Sequence, residues 1–264
     1  MLRFSIITPS FNHARFLPRT LESVRSQLYG AEGQFELEHI IVDGGSTDGT
    51  VELLRACEPE VRWVSEPDRG QADALNKGLA MATGDVLGWL NSDDVYEPGT
   101  LSAVAAVMSA EPATQWAYGR VRIIDEDDRE IRRWITRYKD RRMHRFSYGK
   151  LLSENWISQM GVFWRRSAGA DVGPFRPELR YCMDYDYWLR LGARWPGRFI
   201  DRCLAAFRWY RASKSGADFP RQFREELKVA QRQAAGGYRW PIFQHRLNYA
   251  KIITAYYLLR LLGR

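Results

Sequence analysis

The sequence predicts an α/β fold with a mostly parallel, Rossmann-like central sheet flanked by helices, followed by a helical C-terminal extension. Three observations predict it. Short apolar runs alternate with amphipathic helical stretches through residues 1–110, the pattern of parallel strands joined by crossover helices. Four of those runs end in polar or acidic residues: Asn12, Asp43, Glu66 with Asp68, and Asp93 with Asp94. The charge is also divided. Residues 1–110 carry 8 Lys+Arg against 16 Asp+Glu, whereas residues 111–264 carry 31 against 16.

Taken in order, Phe4-Ser5-Ile6-Ile7-Thr8 is an apolar run stopped by Pro9 and is read as a buried strand. Residues 17–28 place Leu17, Leu21, Val24 and Leu28 at helical spacing, and Pro18 falls in the first turn, where a missing N–H costs nothing. Glu38-His39-Ile40-Ile41-Val42 is the second strand, closed by the glycine-rich turn 43–49. A helix follows from about Thr50, then a third strand at 61–65, a helix over 72–82, and a fourth strand at 86–90 that runs into Asn91-Ser92-Asp93-Asp94. Pro98 and Gly99 introduce a helix over 100–110. Beyond it, residues 116–136 read as strands around an acidic turn, 137–150 as a basic loop, and 156–164 as another strand. Residues 185–193 read as a helix, 205–210 as a strand, and the chain from Pro220 onward as basic helix. Two domains are expected: 1–215, with halves 1–110 and 111–215 that differ in charge and regularity, and the extension 216–264.

In open parallel sheets, ligands bind beyond the carboxyl ends of the strands. Asp and Asn are common turn and cap residues, and that alone accounts for Ser46, Thr47 and Asp48. It does not account for acidic groups after several strands in succession, where mutual repulsion calls for a cation or a donor-rich ligand. The rest of the composition narrows the classes. With 264 residues and 27% charged residues the chain is ordinary globular protein. Three cysteines without a CxxC pair exclude a disulfide framework and a cysteine-based zinc site. The first residues form too short an apolar run for a signal peptide, and no run is long enough to span a membrane. The net charge of +7 and the basic second half suit an anionic partner. Nucleic acid is not expected, because no nucleic-acid motif accompanies the charge.

Four motifs stand in order at the strand ends: Thr8-Pro9-Ser10-Phe11-Asn12, Val42-Asp43-Gly44-Gly45-Ser46-Thr47-Asp48-Gly49-Thr50, Ser65-Glu66-Pro67-Asp68-Arg69-Gly70 and Trp89-Leu90-Asn91-Ser92-Asp93-Asp94. Together with a downstream helix bearing Asp, they resemble the family 2 glycosyltransferases of the GT-A fold, from about residue 3 to about residue 215. The resemblance implies an inverting transferase that takes a sugar from a nucleotide-diphosphate sugar and uses Mg²⁺ or Mn²⁺. It implies that Pro9, Phe11, Asn12, Asp43, Glu66 and Asp68 surround the nucleotide, whose hydroxyls and base N–H suit carboxylate acceptors. For Asp43 an Asx turn is the competing reading, and for Glu66 an ion pair with Arg69.

Asn91-Ser92-Asp93 is similar to the family's DXD motif with Asn in first place. The resemblance makes Asp93 the metal ligand and turns Asn91 toward the donor sugar or ribose; hard cations prefer carboxylate oxygen. Asp94 is equally a turn cap. Tyr210 stands where the family often supplies a His, which implies a weaker metal site. Arg211 and Lys214 are candidates for neutralising the diphosphate, against the plainer reading of a solvated basic loop.

The catalytic base resembles the Asp of the family's acidic pair. Here Met183 replaces the usual Glu and Asp184 remains. Asp186 is the rival, but residues two apart on a helix point about 200° apart. Asp186 has Arg190 four residues on, an ordinary ion pair, whereas Asp184 has Trp188 there. Asp184 is therefore the expected general base.

The expected acceptor is a hydroxyl of a glycan or of a lipid-linked molecule, in bacterial surface polysaccharide or glycolipid synthesis. Residues 240–264 mix aromatic and aliphatic residues with Arg246, Lys251, Arg260 and Arg264. That is the pattern of a basic amphipathic helix on an anionic membrane surface, or of a helix packed on protein. The expected location is the cytoplasm, peripheral to the inner face of the plasma membrane. The rival functions are a non-catalytic nucleotide-sugar-binding relative and a sugar-nucleotide pyrophosphorylase. The latter would need a Gly- and Lys-bearing loop after the first strand, and residues 8–12 have neither.

Overall fold

A computed structural model of the chain describes residues 1–211 and 219–261. The first half follows the expected alternation: β1 (Leu2–Ser10), α1 (Leu17–Arg25), β2 (Phe35–Asp43), α2 (Thr50–Ala56), β3 (Arg62–Ser65), α3 (Gln71–Met81), β4 (Val86–Trp89), β5 (Val95–Tyr96) and α4 (Thr100–Ala110). The second half holds β6 (Trp116–Ile124), β7 (Glu130–Ile131), α5 (Arg133–Met143), α6 (Tyr148–Ser153), β8 (Val162–Arg165), α7 (Arg166–Val172), α8 (Met183–Arg194) and β9 (Arg198–Arg208). Two helices close the described chain: α9 (Phe219–Ala234) and α10 (Arg239–Leu261).

Among the described residues, nine strands form one sheet in the order β3-β2-β1-β4-β8-β6-β9-β5, with β7 on β6. Pairings β3–β2, β2–β1 and β1–β4 are parallel. The sheet is mixed beyond β4: β8 runs antiparallel to both β4 and β6, and β6 pairs parallel with β9. The parallel half is where apolar runs alternate with helices. The antiparallel β8 follows α6 and a 3₁₀ turn rather than a crossover from β7.

Helices cover both faces. One buried cluster joins Ile7, Leu75 and Trp89 to Trp116, Trp164 and Trp188 under α3 and α8. The other joins Phe4, Ile6 and Phe163 to Leu101, Val104 and Met108 of α4. Gly78 lets α3 lie on β1, since a Cβ there would collide with Ile7. Burying large aromatic side chains is the main gain in such a core, and Trp116, Trp156, Trp164 and Trp188 are fully buried.

Three expectations change. Residues 137–150 are not a loop: most belong to α5 and α6. Exposed Arg137 and Arg141 mark the outer side of α5, while Met143 is buried at its end, so the basic stretch is one face of an amphipathic helix. Of the strand expected over 156–164, only 162–164 is strand, because the chain before it turns to bring Gln159 onto the Trp89 carbonyl. The strands expected over 116–136 end at Ile131, and α5 begins at Arg133. The first helix of the extension packs on the core. Val229, Ala230 and Ala234 of α9 lie in the same core as α8, and the boundary expected at 215–216 lies outside the described residues.

Candidate active site

The carboxyl ends of β1 and β4 open into a cavity of 490 Å³. Pro9, Phe11, Asp68, Asn91, Asp93 and Asp184 all line it. The strand ends contribute part of the lining, and the first turn of α8, Lys139 of α5 and Gln222 of α9 contribute more. Residues far apart in sequence thus converge on one cleft.

Asp93 is half-buried beside Tyr210, the residue that stands where the resemblance puts a metal-side His. The Tyr210 hydroxyl donates to its Oδ2 at 3.1 Å, and the same hydroxyl lies 3.5 Å from His13 Nε2. His13 Nδ1 meets the Ser92 hydroxyl at 2.6 Å. Burial pushes the Asp93 carboxyl up, while His13, the Tyr210 hydroxyl and Arg208 pull it back down. Asp94 is fully buried and serves the turn. It accepts from the Arg208 backbone N–H and the Asn91 amide, both at 2.9 Å, and burial plus the adjacent Asp93 hold its carboxyl well above the usual range. The Arg208 side chain is also fully buried, bonding the Asp93 and Asp125 carbonyls and pairing with Asp128.

Asn91 lines the cavity with its amide engaged on both sides. Its oxygen accepts from Gln71 and Trp89, and its nitrogen donates to Asp94 and Gln159. Asp43 does not line the cavity. It is fully buried, and its carboxylate accepts from the Gly45 and Ser46 N–H groups and from the Ser46 and Ser65 hydroxyls. The Asx-turn reading therefore describes its contacts. Asn12 has φ +53°, and its side chain accepts from the Thr47 N–H at 2.9 Å, tying the β1 end to the glycine-rich turn. Glu66 pairs with Lys77 at 2.6 Å rather than with Arg69, which pairs with Asp73. Arg211 is exposed and outside the lining. Lys214 lies outside the described residues.

Asp68 sits against Gly44, where a Cβ would come within 2.8 Å of its Oδ2. The absence of a side chain at 44 is what lets Asp68 occupy that part of the cavity wall. Phe11, exposed at 59%, stands beside it.

On α8 the two carboxylates separate as helical geometry requires. Asp184 lines the cavity; Asp186 is fully buried, pairs with Arg176 at 2.6 Å and Arg190 at 2.8 Å, and accepts from Gln233. The turn leading into α8 is held by Glu225 of α9, which accepts from the N–H groups of Arg180, Tyr181 and Cys182. Carboxylates favour the positive end of a helix. Sequence reasoning did not single out His13, Arg208, Lys139, Glu225 or Glu226. His13 directly follows Asn12 in the first motif, so its position was visible although its partners were not. The others lie on elements whose packing the sequence pattern leaves open.

Among the described residues, no three His, Cys, Asp or Glu side chains cluster as a metal site. Asp93 and His13 nevertheless form a two-donor set joined through the Tyr210 hydroxyl. The pair offers one carboxylate oxygen, the donor type that hard Mg²⁺ and Mn²⁺ prefer, with an imidazole nitrogen beside it.

The sequence model of Glycosyl transferase family 2 matches residues 5–168. An uncharacterized glycosyltransferase of Mycobacterium tuberculosis is 35% identical over 191 residues, 70% of this chain and 67% of that protein. The PGL/p-HBAD biosynthesis glycosyltransferase of Mycobacterium bovis BCG is 34% identical over 192 residues, 71% of this chain and 68% of that protein. Among solved structures, Staphylococcus aureus TarS 1–349 in complex with UDP-GlcNAc has a TM-score of 0.67 at 16% identity, covering 89% of this chain and 67% of that one. In another structure of S. aureus TarS the match covers 86% of this chain and 39% of that one. The mannosyltransferase PcManGT of Pyrobaculum calidifontis, in complex with GDP-Man and Mn²⁺, has a TM-score of 0.63 at 20% identity, covering 94% of this chain and 69% of that one. These neighbours share the GT-A fold. By its matched family model, its curated relatives and its fold, the chain belongs to glycosyl transferase family 2 and is a glycosyltransferase.

Proposed function

We propose that the chain transfers a sugar, with inversion, from a nucleotide-diphosphate sugar to a hydroxyl of a glycan or lipid-linked acceptor. The observation that carries this reading is that Asp93, beyond the end of β4, and Asp184, in the first turn of α8, line one cavity. One carboxylate serves the leaving side and the other the incoming side, an arrangement suited to in-line displacement at an anomeric carbon.

The nucleoside lies along the β1 and β3 ends. Asp68 accepts from its donor groups and Phe11 offers an aromatic face to the base. Asn12 and Asp43 act through the glycine-rich turn that they hold. Asp93 and His13 are the residues that would hold Mg²⁺ or Mn²⁺. When bound, such a cation offsets the charge of the leaving diphosphate. Arg211 and Lys214 belong to the segment proposed to add positive charge on that side. Asp184 takes the proton of the acceptor hydroxyl, whose oxygen attacks the anomeric carbon from the face opposite the diphosphate. The solved neighbours bound to UDP-GlcNAc and GDP-Man support a nucleotide-sugar donor. The relative named for PGL/p-HBAD biosynthesis supports a glycolipid-type acceptor.

Residues 216–264 are proposed as an extension whose outer surface meets an anionic membrane, with the enzyme in the cytoplasm. Among the described residues no helix is long and apolar enough to cross a membrane. α10 packs one side on α6 through His245 and Asn248, while Trp240, Phe243 and Leu247 are exposed. Thermal-shift screening of UDP-, GDP- and dTDP-sugars with and without Mn²⁺ tests the donor reading. One nucleotide class should raise the midpoint in an Mn²⁺-dependent way; no response to any of them contradicts it.

A further inference from the structure

We propose that Glu226 is a positioning residue for Asp184: a second carboxylate brought from α9 to the side of the base, in a chain whose residue 183 supplies none. The proposal rests on the reading of Asp184 as general base and deepens it.

Glu226 is only 5% exposed. Its helix packs on α8, and its neighbour Glu225 clamps the entry to α8. Within α9, the Gln222 amide donates to Glu226 Oε1 at 3.4 Å, and the Asn155 side chain donates from the loop after α6. From α5, Lys139 brings an ammonium into the same corner, with its Nζ 3.1 Å from the Ser158 hydroxyl. From α8, Asp184 and the buried Tyr185 lie within electrostatic reach of it, and Glu154 lies within reach of Lys139 and Tyr185. Asp184, Lys139, Asn155 and Gln222 all line the cavity. Glu226 is therefore the rear member of a cluster whose front members reach the site.

The electrostatics match that placement. Burial, reinforced by the Asp184 charge, pushes the Glu226 carboxyl up to about 7, against the pull of Gln222, Lys139 and Asn155. Burial lowers the Lys139 ammonium while Glu226, Asp184 and Glu154 support it. Two carboxylates beside one ammonium leave a net negative charge in this buried corner, which disfavours ionisation of both carboxylates at once. Ionised Glu226 raises the proton affinity of Asp184, and Lys139 limits the accumulated charge. In the reaction the acceptor O–H bond breaks and its proton passes to Asp184. The acceptor oxygen bonds the anomeric carbon, and the bond to the diphosphate oxygen breaks with its electron pair. The proton then leaves to solvent and the pair is reset.

The test follows release of nucleoside diphosphate from UDP-N-acetylglucosamine and GDP-mannose, with water as acceptor, on both sides of pH 7. Glu226→Gln should lower kcat on the order of tenfold, the effect of about one unit of base strength. Donor KM should stay unchanged, and the inflexion near pH 7 should vanish. Glu226→Asp should keep the inflexion, and Lys139→Met should move it to higher pH. Wild-type kcat and pH profile in Glu226→Gln would overturn the proposal, as would kcat, KM and thermal midpoint falling together. Asp184→Asn separates the two claims. If it abolishes turnover while Glu226→Gln does not, only the present proposal fails; if it stays active, the base assignment fails and takes this proposal with it. A substrate-free arm is ¹³C NMR of glutamate-labelled chain. The resonance absent from Glu226→Gln should titrate near 7 in the wild type and at lower pH in Asp184→Asn; a titration indifferent to Asp184 overturns the pairing.

Discussion

Asp184 and Asp186 stand two residues apart on one helix and have unlike surroundings. Asp186 is held between two arginines in the core, so Asp186→Ala should destabilise the fold by about 3–5 kcal/mol, the cost of leaving buried cations unpaired. Urea titration measures it, and a change below about 1 kcal/mol, typical of an exposed pair, would contradict the assignment. Gly44 makes a sharper distinction between binding and folding. Gly44→Ala should push Asp68 aside and weaken nucleotide affinity while the thermal midpoint stays near the wild-type value; unchanged affinity by titration calorimetry would contradict the role given to Asp68. Asp93→Ala should remove the Mn²⁺-dependent part of nucleotide stabilisation in a thermal-shift assay, and an intact Mn²⁺ response would contradict Asp93 as its ligand. These residues also mark what the sequence could and could not convey. Local spacing separates Asp184 from Asp186 because helical geometry is local. Gly44 against Asp68, or Tyr210 between His13 and Asp93, depends on segments brought together only by the sheet, and no short-range pattern encodes that.

At the scale of elements, strands and crossover helices of the first half were legible because each carries its own periodicity. α5 was hidden by composition: its arginines suggested loop, yet they are the outer face of a helix whose inner face delivers Lys139. α9 is the most informative element, because Glu225 holds the start of α8 and Glu226 bonds Gln222, a member of the cavity lining. The β1–β2 pair carries a pH dependence. His39 is buried against the Thr8 hydroxyl at 2.9 Å, and burial pulls its imidazole down to about 3. The unfolded chain takes up a proton near pH 6.5 that the native protein refuses. This contribution to stability is thus complete above about pH 6.5 and lost as pH falls toward about 3, at up to about 1.4 kcal/mol per pH unit. His39→Gln should flatten that slope in urea titrations on the acid side of neutrality; an unchanged slope would contradict it.

The whole molecule is polarised. Its acidic half builds the strand ends of the cavity, and its basic half contributes the α5, α8 and α9 lining and the exposed apolar residues of α10. Replacing Trp240, Phe243 and Leu247 together with Ser should reduce sedimentation with phosphatidylglycerol vesicles while leaving the thermal midpoint unchanged, since all three are exposed. Equal sedimentation of variant and wild type would remove the membrane reading without touching the chemistry. That chemistry rests on the meeting of Asp93 and Asp184 in one cleft, and the most direct measurement compares donor binding with turnover in Asp184→Asn. Nucleotide affinity should stay close to wild type while turnover falls by about 10²–10⁴-fold, the usual worth of a positioned base. Near-normal turnover in that variant would contradict the base assignment.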